Sequence, residues 1–120
     1  MLVDSNIIIY AAQPEHTSLR EFIAAHSPAV SAVSYVEVLG YHSLSSAEEL
    51  LFRQFFAAAT VFPIDQDVLD EAVKLRWQHR ISLGDSLVAG TALVHHLSLV
   101  TANVTDFACI EGLNLVNPFE

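Results

Sequence analysis

Four acidic residues interrupt the most apolar stretches of this chain. Asp4 lies between Met-Leu-Val and Ser-Asn-Ile-Ile-Ile, and Glu37 lies within Ala-Val-Ser-Tyr-Val-Glu-Val-Leu-Gly-Tyr. Asp85 breaks Ile-Ser-Leu-Gly-Asp-Ser-Leu-Val-Ala-Gly, and Asp106 stands between Leu-Val-Thr-Ala-Asn-Val-Thr and Phe-Ala-Cys-Ile. A carboxylate is almost never fully buried without a partner. Desolvating an unpaired one costs several kcal/mol, or its pKa rises instead. Yet no Lys or Arg occurs within ten residues of Asp4 or Glu37. A fold that buries these segments must carry the acids to a place where solvent or a bound cation offsets their charge.

The segments around them alternate short β-like runs with helical ones, which predicts an α/β layer fold with a mainly parallel central sheet flanked by helices. Strands are expected at Leu2–Asp4, Ala29–Ser31, Val61–Ile64, Ser98–Thr101 and Leu115–Val116. Helices are expected from Ser5 or Asn6 to about Ala12, about Ser18 to His26, Ser34 to about His42, Ser46 to about Ala59, about Asp67 to Arg80 and Leu83 to about Leu97. In the fifth of these, Val68, Leu69, Ala72, Val73 and Arg76 follow amphipathic spacing. No repeat or Pro/Gly-rich linker divides the 120 residues, so one domain over 1–120 is expected.

In a parallel α/β sheet, helix N-termini gather at the carboxyl edge of the strands, where such folds bind ligands. Asp4 ends the first strand, and Thr101, Asn103 and Asp106 follow the fourth. Glu37 and Asp85 are expected in the first turns of their helices. Four carboxylates gathered there repel one another unless a cation neutralises them. Oxygen donors without His or Cys suit Mg²⁺ or Mn²⁺, which keep several waters and bind substrate phosphates. Such a site can polarise a phosphodiester, generate hydroxide and stabilise the leaving oxygen.

Helix capping is the competing explanation. Ser34-x-x-Glu37 and Ser82-x-x-Asp85 both have capping-box spacing, and Asp4 can cap its own helix. Ser46-x-x-Glu49 has the same spacing in a polar setting, where a cap suffices. Capping accounts for the acids singly, but not for four of them in the most apolar segments.

Composition narrows the functional classes. Five cations against fourteen acids give a formal charge of −9, which excludes a broad basic surface for gripping nucleic acid by charge alone. The single Cys109 cannot form an internal disulfide or a zinc cage. No basic region precedes the first apolar run, so no secretory signal is expected. Ser86 to Thr105 carries no formal charge but contains His95, His96 and Asn103, and it reads as a helix followed by a strand rather than a membrane span. A soluble cytoplasmic protein is the expectation.

Four motifs in order carry a resemblance. They are Leu-Val-Asp4-Ser5-Asn6, the helix Ser34-Tyr-Val-Glu37-Val-Leu-Gly40, Asp85-Ser-Leu-Val-Ala89, and Leu99-Val-Thr101-Ala-Asn103-Val-Thr-Asp106-Phe107. The sequence resembles the PIN-domain ribonucleases, most closely the short toxin members of VapC type. That resemblance implies a single PIN-like domain with Mg²⁺- or Mn²⁺-dependent endoribonuclease activity on an RNA substrate. It also implies a homodimer restrained by a small antitoxin protein. On the matching positions Asp4, Glu37 and Asp85 are the principal catalytic and metal-site acids and Asp106 the fourth, with the position of Asn103 as the alternative place to complete the set. Asn6, Thr101 and Asn103 are supporting polar groups. A PIN-like interaction module without catalysis shares the fold, and the complete acid set favours the enzyme.

Other motifs compete less well. Gly84-Asp85-Ser86-Leu87 spells the signature of GDSL serine esterases, but no aspartate here has His three residues on, as the usual base requires. Lys74, Arg76, His79 and Arg80 precede Asp85. Arg76 and Arg80 read first as a solvated i, i+4 face at a helix C-terminus and second as contacts for RNA phosphates. His95 and His96 are adjacent and cannot chelate together on a helix, so they are expected as partly buried polar contacts. Leu51, Phe52, Phe55 and Phe56 read as core or as a dimer or antitoxin face, and Trp77 as core.

Overall fold

A computed structural model describes residues 1–120. Five short strands form one sheet in the order β3-β2-β1-β4-β5, with every neighbouring pair parallel. The strands are β1 (Leu2–Val3), β2 (Ala29–Ser31), β3 (Val61–Phe62), β4 (Leu99–Val100) and β5 (Leu115–Val116). Between them run α1 (Ser5–Ala11), α2 (Thr17–His26), α3 (Ala32–Leu39), α4 (Ser46–Ala58), α5 (Gln66–Gln78), α6 (Leu83–Val94) and α7 (Val104–Phe107). The chain starts in the middle of the sheet, builds outward through β2 and β3, then returns to the other side of β1 to lay down β4 and β5. The crevice between β1 and β4 is therefore the topological switch point.

Side-chain alternation along the strands divides the core into two layers. On one face Val3, Val30 and Val100 pack with Ile7 and Ile8 of α1, Leu19 of α2, Val38 of α3, and Phe52 and Phe56 of α4. On the other face Leu2 and Leu99 pack with Leu75 of α5, Val88, Ala89 and Ala92 of α6, and Phe107 and Ile110. Both residues of β1 and both of β4 are fully buried, as expected for a parallel sheet covered on both faces. The exposed surface is 6734 Å², close to the roughly 6,400 Å² that surface scaling gives for this mass.

Several elements depart from the sequence expectation. The strands expected at Val61–Ile64 and Ser98–Thr101 contract to two residues each. Around β4 the ladder nevertheless continues, with Leu2 N–H donating to Ser98 O at 2.8 Å and Asp4 N–H to Val100 O at 2.9 Å. Helix α3 begins two residues before Ser34, because the Ser31 hydroxyl accepts from Val33 N–H and caps it. Glu37 consequently lies in the sixth position of α3, outside its first turn, and the Ser34–Glu37 capping box does not form. The box expected at Ser46 and Glu49 forms one residue earlier, between Ser45 and Glu48. Helix α7, which carries Asp106, has no counterpart in the sequence reading.

Helices α5 and α6 form an antiparallel hairpin. Gly90 of α6 lies against Val68 and Ala72 near the start of α5, where a Cβ would stand 3.2 Å from the Val68 carbonyl. This places the end of α5 beside the start of α6. Only part of the apolar row on α5 is buried: Val68, Ala72 and Leu75 face the core, while Leu69 and Val73 are exposed. Trp77, expected in the core, is 80% exposed. Arg80 lies beyond the end of α5, so Arg76 and Arg80 do not form a helical i, i+4 pair.

Candidate active site

Asp4 is set at the carboxyl end of β1 by its amide bond to Val100 O, and its backbone forms the N-cap of α1. Its side chain makes no capping bond. Instead Asp4 Oδ2 accepts a 2.9 Å hydrogen bond from the Thr101 hydroxyl at the end of β4, directly across the switch point. Thr101 Oγ1 in turn accepts from Asn103 N–H at 3.0 Å. A threonine hydroxyl has one proton, so the Asn103 amide occupies a lone pair of Thr101 and leaves its proton for Asp4. Only 4% of Asp4 is exposed, and no cation pairs with it.

Glu37 is brought to the same crevice by the packing of α3 on α1. Ser5, the first residue of α1, lies with its hydroxyl 2.7 Å from Glu37 Oε1 and 2.7 Å from Ser34 Oγ. The other carboxylate oxygen rests on the first turn of α6. A Cβ on Gly84 would stand 2.6 Å from Glu37 Oε2, closer than real Cβ contacts come, so any larger residue there would push this carboxylate end aside. Glu37 thereby reaches the residue next to Asp85.

Asp85 lies in the first turn of α6. The Ser82 hydroxyl caps this helix by accepting from Asp85 N–H at 3.1 Å. The cap is thus supplied by Ser82, and the Asp85 carboxylate is partly buried. Asp106 stands on α7, exposed, and Asn103 is the N-cap residue of that helix.

Electrostatics ties the four acids together. Burial raises the Asp4 carboxyl above its ordinary value; the charges of Asp85 and Glu37 add to the rise, and the Thr101 hydroxyl and Ser5 amide pull it back. Burial likewise raises Asp85, with Asp106 and Glu37 adding to the effect and the Ser82 side chain opposing it. No three of the acids close into a ready-made cage, as mutual repulsion dictates for four carboxylates with no positive charge among them.

The donor chemistry suits a hard divalent ion. All the donors are carboxylate oxygens, flanked by hydroxyls and amides, and an ion that retains most of its waters needs only one or two direct carboxylates. The open side of Gly84 leaves room for the Glu37 carboxylate beside Asp85.

The remaining expected residues divide. Asn6 is partly buried in α1 and makes no side-chain hydrogen bond within the chain. Arg76 and Arg80 are exposed and lack ion-pair partners, whereas Lys74 pairs with Glu71 and Arg53 with Glu49. Ser86 is fully buried, and its hydroxyl donates to Leu83 O at 2.6 Å, so it is not a serine nucleophile. His95 stacks on Phe62 at 3.9 Å, while His96 is exposed with φ of 56°. Phe52 and Phe56 are core; Leu51 and Phe55 line an apolar groove with Ile8, Ala11 and Ile23. Sequence reasoning missed Ser5 and Ser34. Ser34 was hidden by its fit to a capping pattern, and Ser5 is marked only by its place after Asp4.

A parallel α/β fold with a carboxylate-lined crevice at its switch point places oxygen donors where such folds bind ligands. The PIN domain family model matches residues 1–111, and the chain belongs to that family. Among curated relatives, Ribonuclease VapC10 of Mycobacterium tuberculosis is 31% identical over 121 residues, covering 94% of this chain and 90% of the relative. A toxin–antitoxin complex from Klebsiella pneumoniae contains a chain that superposes with a TM-score of 0.80 at 28% identity, over 99% of this chain and 98% of that one. The DNA-bound VapBC of Salmonella typhimurium gives 0.86 at 20% identity over 98% and 96%, which supports the fold.

Proposed function

We propose that this protein is a divalent-metal-dependent endoribonuclease and the toxin of a toxin–antitoxin pair. The observation that carries the proposal is the treatment of Asp4 and Glu37. Each has one carboxylate oxygen held by a neutral hydroxyl, and neither has a cationic partner. For Asp4, which is buried, an arrangement built for stability alone would pair or remove the charge, because leaving a buried carboxylate unneutralised costs folding energy.

Asp4, Glu37 and Asp85 are assigned as the principal metal-holding acids, with Asp106 or the Asn103 position completing the set. A bound Mg²⁺ or Mn²⁺ supplies Lewis-acid polarisation of the phosphodiester and a nucleophile at neutral pH. Thr101 and Asn103 orient Asp4, and Asn6, two residues after Asp4, is assigned as a further supporting polar group. Arg76 and Arg80, unpaired at the end of the α5–α6 hairpin that carries Asp85, contact RNA phosphates. The chain's relatives in toxin–antitoxin complexes support a small antitoxin partner. A homodimer and a cytoplasmic location complete the reading. No helix is long and apolar enough to cross a membrane.

The test is cleavage of an unstructured RNA by the purified protein with Mg²⁺ or Mn²⁺ and with excess chelator. Internal cleavage that chelator abolishes is the expected result. Full cleavage in chelator overturns the metal-dependent reading, and no cleavage with either ion favours a binding module on the same fold.

A further inference from the structure

We propose that Ser34, which touches none of the reacting groups, is a positioning residue that acts through Ser5 to select which oxygen of Glu37 faces the metal site. The inference rests on the assignment of Glu37 as a metal-holding acid. Ser5 Oγ lies 2.7 Å from both Ser34 Oγ and Glu37 Oε1. An ionised carboxylate only accepts, and a serine hydroxyl has a single proton to donate. The Ser5 proton is therefore committed to Glu37 Oε1. The contact between the two serines must then run the other way, with Ser34 donating into a lone pair of Ser5. The chain has one direction: Ser34 to Ser5 to Glu37.

Burial makes this direction binding. Ser34 is fully buried and Ser5 is 6% exposed, so water does not readily substitute for either partner. With Ser34 donating into Ser5, the Ser5 hydroxyl cannot turn its proton toward Ser34 without two protons meeting between the buried serines, so Glu37 Oε1 remains its acceptor. Glu37 Oε1 is thereby held, and Oε2 is left free against Gly84, beside Asp85. The Asn103 amide does the same for Asp4 through Thr101. The two acids that flank the crevice are each held by a two-link donor chain, one rooted in α3 and the other in the turn before α7.

Ser5 sits at the start of α1 and Ser34 in the first turn of α3, so the chain also ties the two helices at the edge of the crevice. A merely structural tie and a positioning chain make different predictions. If Ser34 acts through Ser5, its removal weakens Mn²⁺ binding and lowers kcat while leaving KM for RNA unchanged. The effect must also vanish once Ser5 is gone.

The experiment is a double-mutant cycle with Ser34→Ala, Ser5→Ala and the double variant. Mn²⁺ affinity is measured by calorimetry, and RNA cleavage is measured in parallel. Removing partners that orient metal ligands typically costs 10–100-fold in affinity or activity. Ser34→Ala is expected to lose about tenfold in Mn²⁺ affinity and kcat, and Ser5→Ala as much or more. In the Ser5→Ala background, Ser34→Ala is expected to add less than twofold. A Ser34→Ala protein within twofold of the parent on both readouts overturns the proposal, as does an equal loss from Ser34→Ala in both backgrounds. A parent protein that neither binds Mn²⁺ nor cleaves RNA overturns the functional assignment instead. Metal-free crystal structures of the parent and Ser34→Ala decide the geometry independently: a Glu37 carboxylate turned or disordered in the variant supports the proposal, and one unchanged from the parent overturns it.

Discussion

Asp4 concentrates the argument at the level of single residues. It occupies a helix N-cap, yet its carboxylate makes no capping hydrogen bond and instead takes the Thr101 hydroxyl across the switch point. Its pKa is raised above the ordinary value, chiefly by burial. A group whose pKa is higher in the folded than in the unfolded chain stabilises most below the unfolded value, and that contribution is lost as pH rises through the folded value. Ionised Asp4 thus weakens the metal-free protein at neutral pH. Asp4→Asn is expected to raise the metal-free melting temperature by a few degrees at pH 7, with the gain shrinking toward pH 4. Thermal melts in chelator across that range check this; a variant less stable than the parent at pH 7 contradicts it. Asp85 is raised for the same leading reason. Asp85→Asn is expected to lower RNA cleavage by roughly a hundredfold or more, because metal assistance contributes several kcal/mol. Retention of the cooperative melt shows that the loss is not unfolding.

Among the elements, helix starts separate stability from activity. Ser45 and Glu48 form a closed capping box at an exposed helix end and make no hydrogen bond to the site acids. Ser45→Ala is expected to cost about 1 kcal/mol of stability and leave cleavage unchanged. Gly84→Ala should behave in the opposite way. Alanine favours a helix over glycine by up to about 1 kcal/mol, but its Cβ would meet Glu37 Oε2 at 2.6 Å. Cleavage should fall at least tenfold with little loss in melting temperature; unchanged cleavage would show that Glu37 need not rest there.

The same helix starts show where the sequence was legible. Ser82 caps α6 as its spacing predicts, and Ala29–Ser31 forms the expected strand. Ser31 and Ser34 both offer plausible starts for α3, and only the fold decides between them: Ser31 ends β2, so the helix must begin immediately after it. Glu37 then moves from a capping position to one that needs another explanation. Helix α7 was illegible because four residues are too short for a periodic signal.

Across the whole molecule, topology makes the site. Starting in the sheet's centre and building outward both ways puts the ends of β1 and β4 side by side, and residues 97 apart in sequence share a hydrogen bond. The convergence of the acids was legible because parallel topology leaves few places for them. The hydroxyl chains were not, because no local pattern links Ser5 to Ser34. Trp77 was misread because an apolar row on a helix does not reveal which part faces the core; Leu69, Val73 and Trp77 share the solvent side. The charge of −9 is likewise partly local. Four of the negative charges are assigned to one crevice, where on the proposed reading a bound divalent ion would offset them and admit an RNA phosphate.

The most direct test of that claim is the RNA cleavage rate of the parent protein and Asp4→Asn as Mn²⁺ is raised from zero. The parent rate should rise from baseline to a plateau, while Asp4→Asn stays at baseline throughout the same range. An Asp4→Asn protein that follows the parent curve, or a parent rate independent of Mn²⁺ and unaffected by chelator, would contradict the account.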